Sequence, residues 1–197
     1  MTEIDPGGVQ RAKSENELLL ARAKAIQGYA TVEQSLCTLF AHLLGAPPDL
    51  AGIVFFRIIN SRSRNGIMEG LLKRRAQAEY RAFWVSILKL ITVADQQRNE
   101  IVHWHMSVNI SPPTIEVRLI PPNFWIMTDS TPYYTGAKLL EFEAKCDFLS
   151  RSLMMFYLLL RTDLPSANRE TWHEICQREL TYPPPDTHPL SPNYKAP

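Results

Sequence analysis

Three side chains in this sequence have types and spacing suited to chemistry on a phosphodiester: Arg98, Asn99 and His103, within Arg98-Asn99-Glu100-Ile101-Val102-His103. On a helix Asn99 and His103, four residues apart, share a face, as do Asp95 and Asn99. Arg98 is one step round, and its long side chain can bend to the same place. A guanidinium grips a phosphate through two parallel hydrogen bonds and stays charged. An imidazole exchanges protons near neutral pH. That set suits RNA cleavage in which the substrate's own 2′-hydroxyl attacks the adjacent phosphorus. One proton leaves the hydroxyl, one reaches the departing oxygen, charge on the phosphoryl oxygens is stabilised, and no metal is required. Spacing alone is a weak argument. With 14 arginines and five histidines, an Arg followed five places on by His is expected about 0.36 times by chance. An ordinary surface pair between Arg98 and Asp95, with His103 placed by the helix dipole, is the competing reading.

Positioning these groups falls to a helical chain. A polar start with Pro6-Gly7-Gly8 precedes Ser14 and Glu17, spaced as a capping box, and a first helix running to Leu44 with apolar Leu19, Ala23, Ile26, Ala30, Leu36 and Phe40. Gly45 and Pro47-Pro48 stop it. Asp49 is placed as the cap of a second, nearly all-apolar helix to about Asn60. Residues 61–66 (Ser-Arg-Ser-Arg-Asn-Gly) mark a break or kink, and a third helix follows to about Glu79. A fourth, from Tyr80 to about His105, carries the motif near its end. Alternation of Ile115, Val117 and Leu119 with Glu116 and Arg118, between proline pairs, reads as a small hairpin at 107–127. A fifth helix at about 135–161 and a short sixth at 167–180 complete the pattern. A proline-rich tail from Tyr182 reads as an extended or disordered arm. The expected layout is a flexible segment 1–13, a helical domain 14–180 and a tail 181–197.

In this setting the six residues resemble the Arg-x4–6-His motif of HEPN (higher eukaryotes and prokaryotes nucleotide-binding) domains, in the form with a polar residue after the arginine. The stretch 58–72 is similar to the Ser/Arg-containing helix that precedes the motif helix in several HEPN families. The likeness spans about residues 15–160 and departs at the hairpin and the tail. It implies an all-α, HEPN-like helical bundle with a β-hairpin insertion after the motif helix, acting as a metal-independent endoribonuclease, a toxin or a defence effector. Arg98 would hold the scissile phosphate, Asn99 would orient it or the imidazole, and His103 would be acid or base. Two such sets would meet across a homodimer, with RNA as substrate and an antitoxin or regulatory protein as a further partner. The alternative is a non-catalytic HEPN-like dimer that binds a protein or a nucleotide. Glu100 receives no role.

Composition narrows the field less. Apolar residues are 45% and the net charge is +1, so an RNA contact would need a local patch, for which Arg57, Arg62, Arg64, Lys73, Arg74, Arg75 and Arg81 are candidates. Lys73-Arg74-Arg75 is better explained as a basic helix end. Trp104 and Tyr80 are stacking candidates but read better as core. Cys37, Cys146 and Cys176 are too few and too scattered for a disulfide framework and fit a reducing cytoplasm. His173 and Cys176 have half the spacing of a zinc site without a second pair, so no metal and no cofactor are expected. No leader pattern opens the chain, and its longest apolar run, Leu153 to Leu160, cannot cross a bilayer.

Overall fold

A computed structural model describes residues 6–111, 114–122, 130–163, 167–191 and 193–194. Helix α1 runs Pro6–Leu44, so the polar segment expected to be flexible is helical from Pro6, and Ser14 lies inside the helix rather than at its cap. Its buried stripe is Leu18, Ala21, Ala25, Tyr29, Val32, Leu36 and Phe40. That stripe is displaced from the one read off the sequence: Leu19 and Ile26 are exposed. Apolar residues lie on both sides of this helix, and burying the Tyr29 ring decides between them. The helix ends as a Schellman motif. Gly45, at φ 71°, takes the left-handed conformation that side chains disfavour. Its N–H donates to His42 O (3.1 Å), and Ala46 N donates to Ala41 O (3.1 Å).

Helix α2 is Pro48–Arg57 and α3 is Ser61–Arg75. Asp49 sits in the first turn of α2 and is not its cap, because Pro48 already occupies the opening position. The polar stretch from Ser61 is likewise not a break. Asn60 Oδ1 accepts from Arg62 N (2.9 Å) and Ser63 N (3.2 Å), so the helix starts there and Ser61–Gly66 form its first turns. A 3-10 turn, Ala78–Tyr80, leads into α4, Arg81–His103. Strands β1 (His105–Ser111) and β2 (Thr114–Ile120) pair antiparallel, His105 opposite Ile120, so the hairpin opens two residues before its expected start. Its expected end falls among residues 123–129, outside the described ones. Tyr134 pairs with Leu119 through two backbone hydrogen bonds. Helices α5 (Gly136–Leu160) and α6 (Arg169–Cys176) follow. Among the described residues the fold is thus mostly helical, with one two-stranded sheet.

The chain divides into two compact units, Met1–Tyr29 with Gln96–Ala144, and Ala30–Asp95 with Lys145–Pro197, the division falling within α1, α4 and α5. The first buries Leu18, Tyr29, Ile101, Leu119, Leu139 and Phe142. The second buries Leu36, Phe55, Met68, Phe83, Ile87, Leu153 and Phe156, with the Phe83 and Phe156 rings 5.2 Å apart. Within the second unit Arg64 is buried against Glu33 (2.7 Å) and over the Phe55 ring (5.0 Å), which removes it from any RNA-facing patch. The described part of the proline-rich tail, to residue 194, is packed against the second unit at specific points. Tyr182 packs on Phe148 (5.3 Å), Leu180 N donates to Ser86 Oγ (2.8 Å), and His188 is buried. No single helix among the described residues is long and apolar enough to cross a membrane.

Candidate functional site

Arg98, Asn99 and His103 all lie in the last two turns of α4, within the first unit. Ile101, in the same turns, is fully buried and sets the orientation of the helix. With that face inward, Asn99 and His103 project outward, both exposed and one turn apart, while Arg98 is half-buried at the edge. The Arg98 guanidinium lies over the Tyr29 ring of α1 at 5.6 Å, and its Nη1 donates to Asn99 Oδ1 at 3.0 Å. Packing on an aromatic face and a bond to a neighbour fix the guanidinium without neutralising it. Its charge stays available beside the amide. His103 makes no side-chain hydrogen bond among the described residues, so its ring nitrogens are open to a ligand.

The turn carrying His103 is held from outside the motif. Arg22, on α1, donates from Nε to Ile101 O (2.9 Å) and from Nη2 to Val102 O (2.7 Å) and Trp104 O (3.1 Å). The last carbonyls of a helix have no intrahelical partner and concentrate its negative dipole end, so a guanidinium there satisfies both. On the other side, Tyr134 donates to Glu100 Oε2 at 2.6 Å. Burial first, and the Glu100 carboxylate second, push the Tyr134 hydroxyl well above its ordinary range, so it stays a donor. The Trp104 ring packs against Tyr134 at 5.2 Å. Glu100 therefore acts as an acceptor that anchors the helix end to the segment after the hairpin, a role its sequence position did not reveal. Trp104 serves packing, and His105 lies in β1.

The first unit also carries a cleft of about 600 Å³ lined by Leu18, Leu20, Lys24, Glu116, Val117 and Leu140, among others. None of the three motif residues lines it. In the second unit, Asp95 Oδ2 accepts from Ser61 Oγ (2.6 Å), and Lys73 pairs with Glu69 (2.7 Å). Arg57, Arg62, Arg74, Arg75 and Arg81 are exposed. His173 Nδ1 is hydrogen-bonded to the Tyr80 hydroxyl (2.8 Å), and burial pushes the Cys176 thiol far up, a combination that serves packing. Tyr80 is itself buried, as its core reading requires.

Arg22, Tyr29 and Tyr134 are the participants that sequence reasoning missed. Local sequence distinguishes none of the three. No protein-family model, no curated protein and no solved structure matches this chain.

Proposed function

We propose that the chain is a metal-independent endoribonuclease of the HEPN type, with Arg98, Asn99 and His103 at its centre. The observation that carries this reading is the joint exposure of Asn99 and His103 one turn apart on α4, with Arg98 tied to Asn99 at 3.0 Å. An RNA phosphate brought to this face meets a fixed cation, an amide donor and an imidazole that has no hydrogen-bond partner among the described residues. In the step proposed, the 2′-oxygen forms a bond to the adjacent phosphorus and the bond from phosphorus to the 5′-oxygen breaks. One imidazole removes the 2′-hydroxyl proton and a protonated imidazole supplies one to the leaving oxygen. Arg98 stabilises the charge on the non-bridging oxygens. The products are a 2′,3′-cyclic phosphate and a 5′-hydroxyl end. One chain supplies one such histidine, so the second belongs to a second copy. The assay is cleavage of single-stranded RNA by the purified protein in EDTA, with Arg98→Ala and His103→Ala beside it. Loss of about a hundredfold or more in each variant is the expected result. Equal activity in all three removes the assignment.

A non-catalytic reading draws on one observation, the stacking of Arg98 on Tyr29. If that contact is the purpose of Arg98, the purified protein retains RNA in a binding assay without cleaving it.

A further inference from the structure

The inner side of α2 is fully occupied. Ala51 and Phe55 are buried, and the Phe55 ring meets Phe40 at 5.6 Å and the Arg64 guanidinium at 5.0 Å. The outer side is as apolar as the inner one and is uncovered. Leu50, Ile53, Val54 and Phe56 are 56%, 64%, 51% and 52% exposed, and Ile59, just beyond the helix, is 96% exposed. Together they present roughly 600 Å² of apolar surface, at ~200 Å² for a whole side chain of this size, against about 800 Å² per partner in a standard interface. That is the upper end of what soluble monomers leave to water in their largest apolar patch, and such patches are often functional.

The charges on this face say what covers it. Asp49, Ile53 and Arg57 follow one another at four-residue intervals and form a single ridge along the middle of the exposed side. The acid stands at the N-terminal end of the helix, the base at the C-terminal end, and the β-branched residue halfway between. Both charged groups are exposed, without an ion-pair partner among the described residues. A two-fold axis through Ile53 lays a second α2 antiparallel on the first. Ile53 then meets its own copy, and Asp49 faces Arg57 of the second molecule at both ends. Self-complementarity of this kind is what a symmetric dimer interface requires. A lipid surface would be served by a basic rim, and this ridge is balanced in charge.

We infer that the outer face of α2 is a homodimer interface, centred on Ile53 and keyed by reciprocal Asp49–Arg57 pairs. The inference concerns assembly and does not rest on the chemistry proposed for Arg98 and His103; an inactive protein that dimerises in this way would leave it standing.

Sedimentation of the full chain through the micromolar range tests it. Wild-type protein shifts from monomer to dimer with concentration, and Ile53→Glu, a substitution at an exposed position, weakens association about thirtyfold or more. Asp49→Arg and Arg57→Asp each weaken it about five- to tenfold, because symmetry places the repulsion at both ends. The double variant carrying both changes recovers the wild-type value, a result that no general loss of structure produces. Ile53→Cys joins two copies through a disulfide under mild oxidation; the native Cys37, Cys146 and Cys176 are all buried. A wild-type chain that stays monomeric into the high-micromolar range overturns the proposal. So does a dimer indifferent to Ile53→Glu, or a double variant as weak as the single ones. Capture of the monomer by phosphatidylcholine–phosphatidylserine vesicles, abolished by Ile53→Glu, would assign the face to a membrane and overturn it equally.

Discussion

Arg22 and Arg98 show two uses of one side chain near the same end of α4. Arg98 keeps its charge on view, stacked on Tyr29 and bonded to a neutral amide. Arg22 spends its donors on three carbonyls that close α4. Bonds from a charged donor to acceptors that have no other partner are worth more than ordinary ones. Arg22→Ala is expected to cost about 2 kcal/mol in urea unfolding, and to loosen the turn that presents His103. A cost below about 0.5 kcal/mol would show that water serves those carbonyls equally well. Arg98, Asn99 and His103 were legible in the sequence because their relation is local, set by helical spacing. Arg22 was not, because its partners lie about eighty residues along the chain, and nothing local distinguishes it from a solvated arginine. Glu100 was left without a role for the same reason, its partner being Tyr134.

Local chemistry fixes the elements wherever a cap or a stop is decisive. Gly45 and the prolines after it terminate α1 where the sequence places the end. The starts were harder to read. Ser14 and Glu17 have the spacing of a capping box, yet Gln10, Arg11, Ala12 and Lys13 favour helix upstream of them, and the helix runs on through Gly7 and Gly8 to Pro6, a residue suited to an opening position. The serine and arginine run after Asn60 resembles a loop by composition, but the asparagine carboxamide supplies two capping bonds and turns it into the head of α3. Asn60→Ala is therefore expected to destabilise the fold by about 1 kcal/mol, measured as a shift in the denaturation midpoint, whereas Asn60→Asp preserves it. Equal losses in the two variants would contradict the capping role. The buried stripe of α1 was misplaced because the helix carries apolar residues on more than one face, and tertiary packing around Tyr29 selects among them.

At the scale of the whole molecule, the tail gives the clearest departure from composition. Prolines forbid regular structure, yet a chain with fixed dihedrals loses little entropy on docking, and Tyr182 and His188 supply the contacts. His188 Nδ1 accepts from Leu190 N at 3.1 Å, which requires an unprotonated nitrogen there. Burial, and then Arg178, hold its pKa below the ordinary 6.5; burial also lowers that of His42, ahead of the effect of Arg161. The unfolded chain therefore takes up protons first as pH falls below about 6.5. Stability that is complete above that value declines below it. Urea midpoints measured from pH 7.5 to pH 5 are expected to fall, and His188→Asn, which keeps an acceptor, is expected to flatten part of that slope. An unchanged slope in His188→Asn would place the proton uptake elsewhere. Catalysis also belongs to this scale, since the proposed chemistry calls on two copies of the motif. Its most direct measurement is RNA cleavage in EDTA by wild-type chains mixed with His103→Ala chains at fixed total concentration. If both histidines of a pair are needed, the variant alone is inactive, and a mixed dimer with one histidine is inactive too. Formation of 2′,3′-cyclic phosphate ends then falls with the square of the wild-type fraction; a fall in simple proportion to that fraction would contradict it. Wild-type protein that leaves RNA intact, or variants that cleave as well as it does, would contradict the account.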